Sequence, residues 1–180
     1  MRFCTDSILL TALLFAALPL SAAPKHVLVY TRNHVTNGKG YVHDNIQTSV
    51  DAIKKMGAEK GFVVDASDDP AVFTAQNLKQ YSALIFSNSN NEAFENDSQR
   101  AAFKAYIQSG GGFVGIHSAS GSERQWPYFW SVLGGKFVGH PKMQPFVVTV
   151  VDKHHPATKG LPSQFKWTRS EERRVGQECR

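Results

Sequence analysis

Seven histidines in 180 residues, and the places they occupy, are the first sign of chemistry in this chain. Imidazole gives or takes a proton near neutral pH, and its neutral nitrogens bind divalent metals. His117 comes directly after the apolar run Phe113-Val114-Gly115-Ile116, at a tight strand-to-loop turn that aims a side chain into a crevice. His43 stands just before a helical pattern, and His140 closes the glycine-rich turn Gly134-Gly135-Lys136-Phe137-Val138-Gly139. These three are the catalytic candidates. Converging imidazoles could work as acid and base, or hold a divalent metal such as zinc with one position left open. No His-x-x-x-His or other compact ligand spacing occurs, so spacing does not select the metal. The alternatives are a packed structural ring for His117 and a helix-entry role for His43. His154-His155 before Pro156 read as ordinary loop polarity, and His26 falls at the start of an apolar run.

Polar residues gather in the same segments. Thr31-Arg32-Asn33-His34, Ser87-Asn88-Ser89-Asn90 and His117-Ser118-Ala119-Ser120 each follow a short apolar run. Arg32, Asn88 and Ser118 are the candidates for binding a ligand. Asn88 and Asn90 could hydrogen-bond hydroxyls, although such a run is also plain turn composition. Asp65, where the second strand ends, is either a site carboxylate or a loop cap. Trp126, Tyr128, Phe129 and Trp130 could offer a face to a sugar ring, but their near-helical spacing reads as core. Gly110-Gly111-Gly112 ends a helix instead of opening one, which excludes a phosphate cradle.

The elements that must position these groups are legible as alternating patterns. Val27–Tyr30, Phe62–Val64, Ala83–Phe86 and Phe113–Ile116 are short buried strands. Between them, Asp44–Met56 carries Ile46, Val50 and Ile53 at helical spacing, with Asp44 and Gln47 as a capping-box start and Gly57 or Gly61 as a stop. Asn96 and Gln99 open a second helix with Phe103, Tyr106 and Ile107 on its inner face. Strands alternating with amphipathic helices give βαβ units and a parallel sheet flanked by helices. Ligands bind such sheets beyond the carboxyl ends of the strands. Phe146–Val151, a long β-branched strand, then changes the pattern, implying an antiparallel extension or edge near the C-terminus, and Phe165-Lys166-Trp167 is strand-like.

Bulk properties bound the rest. The length fits one domain, and 42% apolar with 19% charged residues is globular composition. The net charge of +5 is scattered with no basic stripe, which argues against a nucleic-acid partner. Arg2, the apolar Ile8–Leu20 and the small Ser21-Ala22-Ala23 are expected to form a signal peptide over residues 1–23. The run is too short to span a bilayer comfortably. A secreted or periplasmic protein with no stable membrane insertion after cleavage follows. Cys4 leaves with the leader and Cys179 lies near the end, so residues 24–169 contain no thiol nucleophile and no disulfide. Residues 170–180 carry six charges without periodicity. They read as an atypical tail, an artefact following a truncated domain, with a genuine polar tail as the alternative.

Five segments taken in order carry a family resemblance. They are Thr31-Arg32 at the end of the first strand, Gly40-Tyr41-Val42-His43, Gly111-Gly112-Phe113-Val114-Gly115-Ile116-His117, Gly134–His140, and His155-Pro156-Ala157-Thr158-Lys159-Gly160-Leu161-Pro162. Together they resemble the ThuA-like, trehalose-utilisation family over roughly Lys25 to Arg169. The resemblance implies a flavodoxin-like, class I glutamine amidotransferase-like fold and a role in carbohydrate metabolism. In true amidotransferases the turn after the central strand holds a cysteine nucleophile. His117 occupies that position, and an imidazole cannot replace the thiolate in acyl transfer, so glutaminase activity is not expected. The chain departs from the family where Arg173-Arg174 follow Ser170-Glu171-Glu172 in place of aromatic residues. The expectation is a histidine-lined pocket acting on or binding a small-molecule or glycan ligand. A non-catalytic carbohydrate-binding module, or a fragment without an intact site, are the alternatives. Oligomeric state is not legible.

Overall fold

A computed structural model describes residues 23–35, 40–169 and 173–175. Residues 1–22 of the expected leader, and residues 170–172 and 176–180 of the tail, lie outside the described residues.

Four strands rich in β-branched and aromatic residues pair in parallel: β1 (Lys25–Tyr30), β2 (Phe62–Ser67), β3 (Tyr81–Ser87) and β4 (Gly112–Ile116), in the order β2-β1-β3-β4. Successive side chains alternate between the two faces of a strand. Leu28, Tyr30, Leu84, Phe86 and Phe113 belong to one cluster, and Val29, Val64, Ile85 and Ile116 to the other. Helix α1 (Ile46–Lys60) supplies Val50 and Ile53 to the second cluster. After the short α2 (Ala75–Leu78), α3 (Asp97–Gln108) and α4 (Pro127–Leu133) place Phe103, Tyr106 and Phe129 in the first. Phe86, fully buried, is the hub of that face. Its ring centroid lies 5.0 to 6.1 Å from those of Tyr30, Phe73, Phe94, Phe103, Phe113 and Phe129.

The parallel sheet with helices on both faces is as expected, and its strand order fixes where a ligand crevice falls. From β1 the chain crosses by α1 to β2 on one side, and from β3 it crosses by α3 to β4 on the other. The connections diverge between β1 and β3, so the crevice opens above their carboxyl ends.

The antiparallel extension is also present. β6 (Gln144–Thr149) pairs with β7 (Gln164–Arg169), setting Phe146 opposite Trp167 and Val148 opposite Phe165. A second pair, β5 (Lys136–Gly139) with β8 (Arg173–Val175), lacks an obvious sequence signal because its strands are short and interrupted by a register shift.

Two local expectations are corrected, the start of α1 and the end of β2, and the choice between two helix stops is resolved. Asn45, not Asp44, precedes α1 without a side-chain cap, and Gln47 donates to Asp51 one turn on (2.8 Å). The helix runs past Gly57 to Gly61, whose φ of 78° is the left-handed stop. The second strand does not end at Asp65 but continues to Ser67, so Asp65 sits mid-strand opposite Leu28 and away from the crevice. Asn96 does cap α3, accepting from the Gln99 amide at 3.0 Å, while Gln99 Oε1 reaches the Glu95 amide at 2.7 Å.

Candidate functional site

The crevice above β1 and β3 is built from the polar residues that follow each strand. β3 delivers Ser87 and Asn88 fully buried, and the Asn88 amide extends the ladder by donating to Ile116 O at 3.2 Å. Ser49, on the first turn of α1, shares a 2.6 Å hydroxyl–hydroxyl hydrogen bond with Ser87 and so pins that helix beneath the rim. Beyond β1, Asn33 bridges to Asn90 as a parallel continuation of the sheet. Its side-chain amide donates to Thr31 O (2.9 Å) and to Asn88 O (2.7 Å).

Into this frame β4 inserts His117. Its φ is +54°, a left-handed conformation that few residues other than glycine, Asn, Asp and His adopt. The bend brings its Nδ1 2.8 Å from Asn88 Oδ1. Asn88 is itself left-handed at φ 54°. His43 comes from the segment leading to α1, and its ring centroid lies 4.3 Å from that of His117 in an edge-on contact. Tyr41 backs His43 at 4.7 Å, and its carbonyl accepts from Asn90 Nδ2 at 3.2 Å, tying this segment to the rim.

His140 follows β5, which packs against the turn opened by His117, but among the described residues its ring contacts neither member of the pair. It is exposed, and its contacts are with the Pro141 carbonyl (3.2 Å) and the Phe137 ring (6.0 Å). The structure therefore brings together two of the three proposed catalytic histidines. Among the described residues, no three His, Cys, Asp or Glu side chains cluster as a metal ion would require. The pair is in contact with the Asn88 amide oxygen and the Tyr41 ring.

The proposed ligand-binding residues divide in the same way. Asn88 is turned onto His117 and buried, so it serves the histidine directly. Arg32 bonds Glu95 (3.0 Å), the Glu92 carbonyl (3.2 Å) and His34 Nδ1 (3.2 Å), with 16% of its side chain exposed. Those bonds clamp the end of β1 to the segment after β3. Ser118, next to His117, has a buried hydroxyl with no hydrogen-bond partner among the described residues, as does the Asn33 carbonyl oxygen. Buried polar atoms are nearly always satisfied, so these two are points where water or a ligand group would be held. Tyr128 and Trp126 pack against the core near Phe129, as their spacing implies, and not in the crevice. His155 accepts from the Ala157 amide at 3.1 Å, an ordinary loop role.

Sequence reading missed Asn33, Asn91 and Glu123. Asn91 donates to His34 O (2.7 Å) and accepts from Arg124 (2.8 Å), so it separates the histidine crevice from a neighbouring cleft of about 640 Å³. In the wall of that cleft Glu123, with 3% of its side chain exposed, accepts from Arg100 Nε (2.9 Å) and the Phe94 amide (3.1 Å). Hydrogen bonding to Glu123 is the main reason the Arg100 guanidinium holds its proton more firmly than usual. The cleft's innermost charges are paired with one another, which makes it a clamp for the scaffold. One faint signal marks this region: Asn residues at strand ends, which after glycine are among the residues that tolerate left-handed backbone.

A family model described as "ThuA: Trehalose utilisation" matches residues 26–173. A ThuA-like protein from Bacteroides uniformis ATCC 8492 superposes with a TM-score of 0.66 at 29% identity, covering 88% of this chain and 64% of that one. A ThuA-like protein from Parabacteroides merdae ATCC 43184 gives 0.59 at 19% identity, with 83% and 62% covered, and this second likeness speaks for the fold alone. The chain thus spans less than two thirds of either neighbour. No curated protein matches it.

Proposed function

The chain belongs to the ThuA, trehalose-utilisation, family, and on that premise we propose that its crevice takes a small sugar-derived ligand and works on it with His43 and His117 as an acid–base pair. The observation that carries the reading is the 4.3 Å ring contact between these two histidines at the sheet's switch point. Two imidazoles in contact repel when both are charged, so the pair favours one proton between them, an acid beside a base. The Ser118 hydroxyl and the Asn33 carbonyl oxygen, both buried and unpartnered among the described residues, are suited to the hydroxyl groups of a sugar. Glutamine amidotransfer is outside this proposal, because residues 24–169 hold no cysteine. Arg2, Ile8–Leu20 and Ser21-Ala22-Ala23 support action outside the cytoplasm.

The test is ligand binding by saturation-transfer NMR with trehalose, glucose and simple glucosides, on the full chain and on His117→Ala. Binding by the wild type that falls at least tenfold in a variant still folded by circular dichroism supports the proposal. Equal binding by both proteins, with turnover of the bound sugar also unchanged, would remove His117 from the site. Binding retained by His117→Ala together with lost turnover would keep the acid–base role and move recognition to other rim residues.

A further inference from the structure

The left-handed backbone at His117 and Asn88 poses a question that family membership does not answer. L-residues lose about 1–2 kcal/mol in this conformation, less for Asn. Such outliers persist where surrounding structure over-determines them, often at functional sites. Here the two outliers face one another. The turn after β4 swings the His117 ring back toward the end of β3, where Asn88 meets it at 2.8 Å. Asn88 is fixed from three directions: its amide donates to Ile116 O, its carbonyl accepts from Asn33 Nδ2, and its side chain meets the ring.

We infer that Asn88, itself locked by Asn33, is a positioning residue that holds His117 in the Nδ1–H tautomer and so makes Nε2 the nitrogen that accepts a proton or a hydrogen bond. An amide oxygen only accepts, so the hydrogen in this contact must sit on Nδ1; a neutral imidazole has one N–H, which leaves the lone pair on Nε2. A carboxylate in place of Asn88 would accept the same hydrogen but would also favour the charged ring, leaving a poorer base. Asn meets both requirements at once, tolerance of positive φ and a neutral acceptor, whereas Gly meets only the first. His43 is in ring contact with His117, with Tyr41 behind it; Asn88 is neutral; and β5, packed against the turn that His117 opens, carries Lys136 and leads into His140.

The inference rests on the proposed acid–base role of His117, yet its test needs no ligand, so the two can fail separately. The ¹⁵N resonances of the histidine rings are recorded on the full chain by long-range proton–nitrogen correlation, and His117 is assigned by its disappearance in His117→Ala. The expected wild-type pattern is a protonated Nδ1 and an unprotonated Nε2. Asn88→Gly keeps the backbone conformation and should shift the ring toward the Nε2–H tautomer. Asn88→Asp should keep Nδ1 protonated while moving the His117 titration midpoint up by about 1–3 pH units. A wild-type ring protonated on Nε2 would overturn the inference, as would an unchanged tautomer in Asn88→Gly. Should Asn88→Gly fail to fold, an unmoved midpoint in Asn88→Asp would overturn it equally. Loss of sugar binding with the tautomer pattern intact would count against the proposed function and leave the inference standing.

Discussion

Replacing Arg100 by Met tests whether the polar clamp beside the crevice is a structural necessity. Glu123 has 3% of its side chain exposed and Arg100 25%. The substitution keeps most of the aliphatic volume and deletes the guanidinium. Glu123 would then retain the Phe94 amide as a partner and lose the only cation paired with it among the described residues. Removing one member of a buried ion pair costs about 3–5 kcal/mol, because the charge left behind is not solvated. One quarter of Arg100 faces solvent, so about 3 kcal/mol is the appropriate figure. Urea denaturation at neutral pH should show that loss as a lower midpoint with an unchanged slope. A deficit below about 1 kcal/mol, the size of an exposed pair, would refute the assignment of Arg100 and Glu123 as a buried clamp.

Two other outcomes are expected. Gly57→Ala would place a Cβ 2.7 Å from the Phe62 carbonyl oxygen and 2.8 Å from Val64 Cγ2, so overpacking of about 1–3 kcal/mol outweighs the roughly 1 kcal/mol gained by helix propensity. Thermal denaturation should show the net loss as a lower Tm, whereas an unchanged or higher Tm would show that β2 yields. Burial raises the phenol pKa of Tyr30, and of Tyr106 against the opposing effect of its bond to Gly112 O. Folded-state values above the unfolded ones give stability that is complete below about pH 10 and lost as pH rises beyond it. Phenolate absorbance should accordingly show Tyr30 ionising only together with alkaline unfolding; free titration of all five tyrosines in the folded protein would contradict its burial.

The sheet was legible because its strands are runs that local pattern alone identifies. Val27–Tyr30 and Ala83–Phe86 are apolar on both faces, which fits strands covered by helices on both sides. His117 was legible for the same reason, since a residue directly after a central strand points into the crevice whatever its neighbours do. The partner of His117 was not. Asn88 looks like turn composition, and its role depends on a left-handed bend and a contact across 29 residues that no local pattern encodes. Asp65 misled because the strand continues through Ala66 and Ser67, two small residues with little strand signal of their own. The ring contact between His43 and His117 and the exposure of His140 both follow from tertiary placement, which residue type does not encode.

The crevice is assembled from residues far apart in the chain: Asn33 reaches Asn88 over 55 positions, and Asn88 reaches His117 over 29. Nothing resembling it exists until β1 has paired with β3, and β3 with β4. Non-local parallel pairing of this kind is slow, since loop entropy is lost before the contacts form. A ligand that recognises the completed crevice therefore has little to bind in the folding transition state. It should slow unfolding while leaving the refolding rate nearly unchanged, the kinetic pattern of a site completed after the rate-limiting step.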